Sequence, residues 1–193
     1  FLTTNFRSTP PILTLANNSI MNNSEQINKE MQCCKLFKSP KMPIVIHLPT
    51  WETQYRFIYQ YAEKLRKSNH LNLDQMVVLA RNNSSLIMGE NFFLSIGYPI
   101  VLLEESDSGS TSKCIPNHLA LSTVHKSKGL EWDVVFLVGL DDDFFPATRD
   151  SDQTIQEERR LFYVAVTRAK KRLFILHSTN KISRFVKELD PST

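Results

Sequence analysis

Two strand-like stretches without a charged residue constrain the fold of this 193-residue chain more than any other feature of its sequence. Leu119–Val124 and Val134–Leu140 are rich in β-branched and other apolar residues and contain no charged residue. A strand with one face in water alternates apolar and polar residues, so these stretches indicate strands that are buried on both faces. Such strands are typical of parallel sheets that are covered on each side by helices.

Strand-like and helix-like segments alternate along the rest of the chain, which predicts an α/β fold with a mostly parallel sheet. The other predicted strands are Phe1–Thr4, Ile44–Leu48, Met76–Ala80, Tyr98–Leu103 and Leu173–Leu176. The first predicted helix runs from Pro10, capped by Ser8 or Thr9, to about Met21, and the second from Trp51, capped by Thr50, to about Lys67. The third runs from Ser84 or Ser85 to Ile96, and the fourth from about Gln156 to Val166. The polar stretches 22–42 and 104–117 are predicted to be a loop with some short helix and a linker.

The predicted helix that begins at Trp51 carries a stripe of apolar residues at helical spacing. Its members are Trp51, Tyr55, Ile58, Tyr59, Ala62 and Leu65. An aromatic stripe can stack nucleic-acid bases, but the same spacing is found on a helix face that packs against a core. Of the two, we expect core packing.

The composition is that of an ordinary globular protein and gives little indication of a partner. Hydrophobic residues make up 41% of the chain and charged residues 22%. The net charge of +3 only weakly favours a polyanionic partner. The cysteines Cys33, Cys34 and Cys114 fit neither a disulfide framework nor a zinc-site spacing, so we expect free thiols in a reducing compartment. No apolar stretch approaches the roughly 18 residues of a membrane-spanning helix. The chain opens at Phe1 inside a strand-like segment, and we expect it to be a piece of a longer protein.

The segment 157–176, EERRLFYVAVTRAKKRLFIL, places Arg168 directly after the apolar helical run Leu161–Val166. Six consecutive apolar or aromatic residues leave a helix no face for water, so this run must be buried. Arg168 is therefore held close to rigid packing, and its planar five-donor guanidinium suits phosphate oxygens. The alternative is a helix end whose basic residues, Arg168 and Lys170 to Arg172, complement the helix dipole.

Two further loops could bind an anion, and we place all three at strand-to-helix junctions, where α/β sheets bind ligands. Arg7 stands just before a predicted helix N-terminus, where its charge opposes the dipole, so a nearby anion would explain it; the alternative is a solvated loop arginine. The stretch 122–133, STVHKSKGLEWD, offers hydroxyls, two lysines, Gly129 and the carboxylate of Glu131, which suit a phosphodiester backbone or a nucleotide. By itself, His125 in this stretch is better explained as a loop histidine.

Four segments, in this order, resemble successive motifs of the second motor domain of UvrD/Rep-type superfamily 1 DNA helicases. They are NFRSTPPIL, VLARNNSSLIMGENFFLSIGYPIVL, LSTVHKSKGLEWDVVFLVGLDDDFFP and EERRLFYVAVTRAKKRLFIL. The match extends from residue 2 to about 177, and HKSKGLEW and VAVTRAKKRL together are highly specific. The resemblance implies a RecA-like, P-loop NTPase-type domain of three layers that comprises residues 1–193, with 104–117 at the place where larger relatives insert an accessory domain.

In that family two RecA-like domains face each other across one ATP, and the second contributes groups to the phosphates that the first one binds. The resemblance implies that Arg7 and Arg168 are catalytic and reach the γ-phosphate, Arg168 in the manner of an arginine finger. It also implies that Phe6, which replaces the family's usual tyrosine, packs on adenine, and that Glu131 holds the ribose. The residues implied to contact the single DNA strand, or to link it to the ATP cleft, are Arg81, Asn83, Thr123, His125 and Lys128.

The chain also departs from a complete motor. It contains no G-x-x-x-x-G-K-[ST] phosphate loop, and Asp141–Asp143 match the family's acidic turn rather than its magnesium site. We therefore expect half of an ATPase site without a metal site, with ATP and Mg²⁺ held mainly by the N-terminal motor domain of the same protein. The other implied partner is single-stranded or partly duplex DNA, with no membrane involved, and the implied location is intracellular, in the bacterial cytoplasm or the eukaryotic nucleus.

Three functions remain open on these grounds. The first is the C-terminal motor domain of an ATP-dependent DNA helicase that translocates along single strands. The second is a non-catalytic nucleic-acid or partner-binding module derived from a helicase domain, against which the intact Arg7, Glu131 and Arg168 argue. The third is an RNA-directed superfamily 1 motor, which fits EERRLFYV and HKSKGLEW less well.

Overall fold

A six-stranded parallel sheet lies at the centre of the computed structural model, which describes residues 4–24, 31–34, 37, 39–104, 115–147, 151–178 and 181–189. The strands are β1 Thr4–Asn5, β2 Gln32–Cys33, β3 Ile44–His47, β4 Met76–Ala80, β5 Ile100–Leu102, β6 Leu119–Thr123, β7 Trp132–Leu137 and β8 Ala169–His177. Strands β3 to β8 form the central sheet in the order β3-β8-β7-β4-β6-β5, and each of its described pairs is parallel. β1 and β2 pair separately as a small parallel sheet.

Helices cover both faces of the central sheet. They are α1 Pro10–Ile20, α2 Trp51–Asn69, α3 Asn83–Ser95, α4 Asp152–Val166 and α5 Arg184–Lys187. Helices α1, α4 and α5 pack on one face together with Val77 and Leu79 of β4, whereas α2 and α3 pack on the other face together with Met76 and Val78. Strands β4, β6 and β7 are buried along their whole length. The predicted three-layer α/β fold with a mostly parallel sheet is confirmed.

Local hydrogen bonds move two helix starts from their predicted positions. Helix α4 begins at Asp152 rather than near Gln156, because the Ser151 hydroxyl accepts a hydrogen bond from the Thr154 N–H at 3.2 Å and caps the helix there. Helix α3 begins before Ser84, because Asn82 Oδ1 accepts from the Ser85 N–H at 3.1 Å. Neither Ser8 nor Thr9 caps α1 through its side chain.

The predicted loop 22–42 contains the short strand β2, because β1 provides a partner that the local sequence does not reveal. Residues 25–30, 35, 36 and 38 of this loop, residues 105–114 of the linker and residues 1–3 of the first predicted strand lie outside the described part of the chain. The Cys33 thiol is half-buried and donates to the carbonyl oxygen of Ser8 at 3.5 Å, whereas Cys34 is exposed.

The stripe on α2 packs against the core, as predicted, since Tyr55, Ile58, Ala62 and Leu65 are at most 2% exposed. The Tyr55 hydroxyl donates to the carbonyl oxygen of Ser85 at 2.5 Å and so ties α2 to α3. Among the described helices, none has the length and apolar character needed to cross a bilayer.

Gly89 allows α3 to approach the Tyr55 ring, and an added Cβ would lie 2.6 Å from Tyr55 Cε1. We expect Gly89→Ala to lower the free energy of unfolding by about 1–2 kcal/mol, because an overpacking cost of up to about 3 kcal/mol outweighs the roughly 1 kcal/mol by which alanine favours a helix over glycine. Urea unfolding measures the change. Asn91→Ala, on the exposed side of the same helix, is the control and should leave stability unchanged or slightly raised. Equal effects of the two variants would contradict the close packing.

Candidate functional site

The loop between β1 and α1 is fixed onto the start of β8. The side-chain oxygen of Asn5 accepts hydrogen bonds from the N–H groups of Arg7 and Ser8, both at 2.8 Å. The buried Ser8 hydroxyl donates to the carbonyl oxygen of Ala169 at 2.7 Å, and the Thr9 N–H donates to that of Lys170 at 3.1 Å. The backbone that carries Arg7 is therefore held beside Arg168, although β1 is not a strand of the central sheet.

Four charged residues, which we call the cationic cluster, meet at this position: Arg7, Glu131, Arg168 and Lys170. The Glu131 carboxylate forms ion pairs with Arg7 Nε and, at 2.8 Å, with Lys170 Nζ. A terminal nitrogen of Arg7 lies 3.5 Å from the carbonyl oxygen of Thr167. The cluster contains three cations and one carboxylate, so it has a net positive charge.

Arg168 is held by two backbone carbonyl groups. Its Nε donates to Val164 at 3.1 Å and one terminal nitrogen donates to Leu130 at 3.0 Å. The side chain is half-buried, and the pKa of its guanidinium is lowered, first by burial and then by the positive charge of Arg7. A bound anion would relieve both effects. This arrangement favours the anion-site interpretation of Arg168 over simple complementation of a helix dipole.

The cluster lies where the chain enters strands, which corrects part of the predicted placement. Arg168 belongs to the turn that leads from α4 into β8, and Glu131 directly precedes β7. Stretch 122–133 joins β6 to β7 without a described helix between them. Of the three loops that were predicted to lie at strand-to-helix junctions, only the one with Arg7 does so. The prediction was wrong for stretch 122–133 and for the Arg168 segment. The reason is that α4 packs back along the sheet and ends at the amino ends of the strands.

Phe6 precedes Arg7 and is 61% exposed. Most phenylalanine rings are at least partly buried, because water solvates an apolar ring poorly. A ring as exposed as that of Phe6 would therefore gain by packing against a ligand. Its ring face is accessible beside the cationic cluster, in a place where a planar base could pack.

A second group of predicted residues lines one cavity of about 250 Å³, which we call the α4 cavity. Arg81, His125 and Lys128 are brought together there, and Glu157 and Glu158 of α4 form part of its wall.

The structure does not bring Thr123 and Asn83 into this wall. Thr123 is buried, and its hydroxyl accepts from the Lys126 N–H at 3.4 Å, which stabilises the turn after β6. Asn83 is exposed in the first turn of α3.

Arg81 forms a two-pronged ion pair with Glu158 that was not predicted. Arg81 Nε lies 3.0 and 2.9 Å from the two carboxylate oxygens, and a terminal nitrogen lies 2.6 Å from one of them. Glu158 is buried and also accepts from the Ala147 N–H at 3.1 Å. One signal was available in the sequence: Glu158 lies three positions before Leu161, on the side of α4 that has to be buried, and a buried carboxylate requires a cation.

The two sites share one helix. Val164 forms part of the wall of the α4 cavity, and its carbonyl oxygen accepts a hydrogen bond from Arg168 Nε. Leu130, which also accepts from Arg168, belongs to the loop that supplies His125 and Lys128 to the cavity. A displacement of this turn of α4 would therefore reach both sites.

No group of three or more potential ligands from His, Cys, Asp and Glu is placed to hold a metal ion in the part of the chain that the structure describes. Asp141 instead accepts hydrogen bonds from the backbone and hydroxyl of Ser178, the latter at 2.7 Å. Its carboxylate therefore has a structural role in the acidic turn.

Comparison with known proteins agrees with the motifs. Residues 1–108 and 90–180 match the family model of the UvrD-like helicase C-terminal domain. The ATP-dependent DNA helicase PcrA of Staphylococcus aureus is 30% identical over 154 residues, which are 68% of this chain and 20% of that protein. PcrA of Staphylococcus epidermidis is 28% identical over 151 residues, 70% of this chain and 20% of that protein. The chain thus spans about one fifth of the length of these curated relatives.

A solved structure has the same fold. It is the C-terminal domain of a possible DNA helicase from Lactobacillus plantarum WCFS1, with a TM-score of 0.69 at 14% sequence identity, over 97% of this chain and 95% of that chain. At this identity the likeness concerns the architecture alone.

The pKa of Glu131 lies below its ordinary range, chiefly because Lys170 and also Arg7 donate hydrogen bonds to it, although partial burial acts in the opposite direction. We expect Lys170→Gln to raise this pKa towards the value of about 4.3 of a free glutamate. A lowered pKa contributes stability that is present above the unfolded-state pKa and is lost as the pH falls through the folded-state pKa. Lys170→Gln should therefore destabilise the protein near neutral pH, and its difference from the wild type should shrink below about pH 4.

Carboxyl NMR titration of Glu131 and urea unfolding at several pH values measure these effects. Lys67→Gln, which replaces an exposed lysine on α2, is the matched control and should leave the pKa of Glu131 unchanged. The assignment would be refuted if Lys170→Gln behaved in the same way.

Proposed function

The chain belongs to the UvrD-like helicase C-terminal domain family, and on that premise we propose that it is the C-terminal motor domain of an ATP-dependent DNA helicase that translocates along single-stranded DNA. We propose further that residues 1–193 act as one domain, with 104–117 at the accessory-domain insertion point of larger relatives. The observation that carries the proposal is the cationic cluster, in which Arg7 and Arg168, from opposite ends of the chain, lie close together.

The residues of the cluster fit the phosphate end of a nucleotide. Arg7 and Arg168 supply planar arrays of donors, Lys170 adds a third positive charge, and the half-burial of Arg168 strengthens its attraction to an anion. Phe6 offers an exposed ring face to the adenine. ATP, when bound, supplies the phosphoanhydride bond whose hydrolysis drives movement. The phosphate loop and the magnesium ligands belong in this proposal to the N-terminal motor domain, so the chain alone does not hydrolyse ATP.

Glu131 keeps the cluster together before the nucleotide arrives. Its ion pairs with Arg7 and Lys170 compensate charges that would otherwise repel one another and Arg168. When a phosphate takes over these cations, the carboxylate is released to the ribose, which is the role that the family resemblance implies. Arg7 and Arg168 then stabilise the charge that develops on the transferred phosphoryl group.

The α4 cavity is the proposed contact with the DNA strand. Arg81, His125 and Lys128 provide donors for phosphate oxygens, and Thr123 stabilises the turn after β6. Asn83, exposed in the first turn of α3, is proposed as a further contact with the strand. Contacts of this kind to the backbone predict little preference for base sequence and a strong dependence on salt. Because α4 and the loop 124–131 contact both sites, closure around ATP changes the grip on the strand.

Arg168→Ala in the full-length protein should reduce the maximal ATPase rate by about 100-fold or more, because an arginine that stabilises transition-state charge is lost. Affinity for single-stranded DNA should remain close to that of the wild type. Steady-state hydrolysis with saturating DNA and fluorescence anisotropy with labelled oligothymidine measure the two quantities. The control is Arg56→Ala on the opposite layer, whose side chain is exposed and paired with Glu52. Unchanged turnover in Arg168→Ala would remove Arg168 from the site.

The Arg81–Glu158 ion pair allows a test of the strand contact. Glu158→Gln keeps an oxygen that can accept from the Ala147 N–H but removes the charge that occupies Arg81. If Arg81 then binds a phosphate, affinity for single-stranded DNA should rise by about 3- to 10-fold at low salt, and the slope of log affinity against log salt should steepen by about 0.7. Binding isotherms at several salt concentrations give both values.

Glu157→Gln is the matched control for this experiment. It removes the same charge from the same cavity wall without releasing Arg81, so it should raise the affinity less and leave the salt slope unchanged. The double variant Arg81→Gln/Glu158→Gln should lose the gain. A strand-binding role for Arg81 is refuted if Glu158→Gln and Glu157→Gln give the same slope.

A further inference from the structure

A cavity of about 370 Å³, which we call the β8 cavity, lies beside the cationic cluster and is not used by the proposed motor function. It is lined by Thr9 after the Arg7 loop, by Lys171 and Arg172 of β8, and by the segment that contains Ser39 and Lys41. Three cationic side chains therefore line it, and none of the described residues in its wall carries a carboxylate.

A β-bulge brings consecutive basic residues of β8 to this cavity. Trp132 pairs with Ala169 and Val134 pairs with Arg172, so β8 has one residue more than β7 between these two pairs. In a regular strand, neighbouring side chains point to opposite faces, and a bulge relaxes this rule. As a result, Lys171 and Arg172 both line the cavity.

Two polar groups in this wall lack a partner. Thr9 is 2% exposed, and its hydroxyl oxygen is buried without a hydrogen-bond partner. Arg172 is half-buried, and among the described residues no side chain or carbonyl group accepts from its guanidinium. Lys171, by contrast, is paired with Asp133 at 2.7 Å. The buried Thr9 hydroxyl without a partner is costly, and the Arg172 guanidinium has donors from which no described residue accepts, so a ligand with several acceptor oxygens would engage both.

We propose that the β8 cavity is a second oxyanion site, which binds a phosphate group through Arg172, Lys41 and the Thr9 hydroxyl. Phosphate fits because it has enough oxygens to accept from a guanidinium fork, an ammonium and a hydroxyl together. The start of α1 contributes little, since its first two residues, Pro10 and Pro11, have no N–H to donate. The phosphate could belong to a nucleotide or to a DNA backbone, which share this chemistry.

The test uses ¹⁵N-labelled protein and follows the Nε–Hε signal of Arg172 by NMR during titration with inorganic phosphate, pyrophosphate and oligothymidine. We expect a saturable shift of this signal, together with a rise in Tm of about 3 °C at a phosphate concentration near 10 times the Kd. Saturation by oligothymidine at lower concentration than by pyrophosphate identifies the DNA backbone as the source; the reverse order identifies a nucleotide.

Two variants separate this site from the protein's stability and from the cationic cluster. Arg172→Gln should weaken phosphate binding at least 10-fold, and the loss of the phosphate-dependent rise in Tm measures this change. Thr9→Val should leave the Tm without phosphate unchanged or higher, because it removes a hydroxyl without a partner, yet it should weaken phosphate binding about 3- to 10-fold. Arg168→Ala should preserve the response of the Arg172 signal, so failure of the motor proposal would not affect this one. The inference is overturned if Arg172→Gln binds phosphate as the wild type does, or if Arg168→Ala alone abolishes the response.

Discussion

The hydrogen bonds between the loop that carries Arg7 and the first residues of β8 are the interaction on which the site depends. Ser8 and Ala169 are 161 positions apart in the chain, and the bond between them is fully buried. Because β8 is also an inner strand of the sheet, paired with β7 on one side and β3 on the other, the loop inherits the rigidity of the core. Without this contact Arg7 would be an ordinary loop arginine, and the cationic cluster would consist of Glu131, Arg168 and Lys170 alone.

Electrostatic balance explains how three cationic side chains can lie together in the cationic cluster. Glu131 accepts from two cations, and two carbonyl groups hold Arg168 although its partial burial disfavours the charged form. The cluster is therefore ordered but keeps a net positive charge, so that under the proposed function a phosphate would meet donors that are already in place. The Arg81–Glu158 pair differs, since its charges already satisfy each other, and binding there requires an exchange of partners.

Most of the fold was predictable, because the apolar stretches of β4, β6 and β7 specify burial on both faces directly. The start of α4 was not, since its cap, Ser151, lies in an irregular acidic stretch, and β2 was not, because a two-residue strand exists only through its partner. The motifs predicted that Arg7, Glu131 and Arg168 act together, and the structure brings them into contact or close to it. The motifs did not predict that Lys170 would pair with Glu131, or that Glu158 would pair with Arg81, 77 positions away. Such partner choices arise only from tertiary packing.

The distance along the chain between the two arginines has a consequence for biosynthesis. Arg7 leaves the ribosome first, but its neighbours in the cluster are translated about 160 residues later, which takes on the order of 8 to 30 s at typical elongation rates of about 5–20 residues per second. Since Arg168 directly precedes β8, the last described strand of the central sheet, the nascent chain cannot present both arginines until this part of the domain has been synthesised. A chain cut short before Arg168 would lack one arginine of the pair, so under the proposed function it could not engage a nucleotide through the complete cationic cluster.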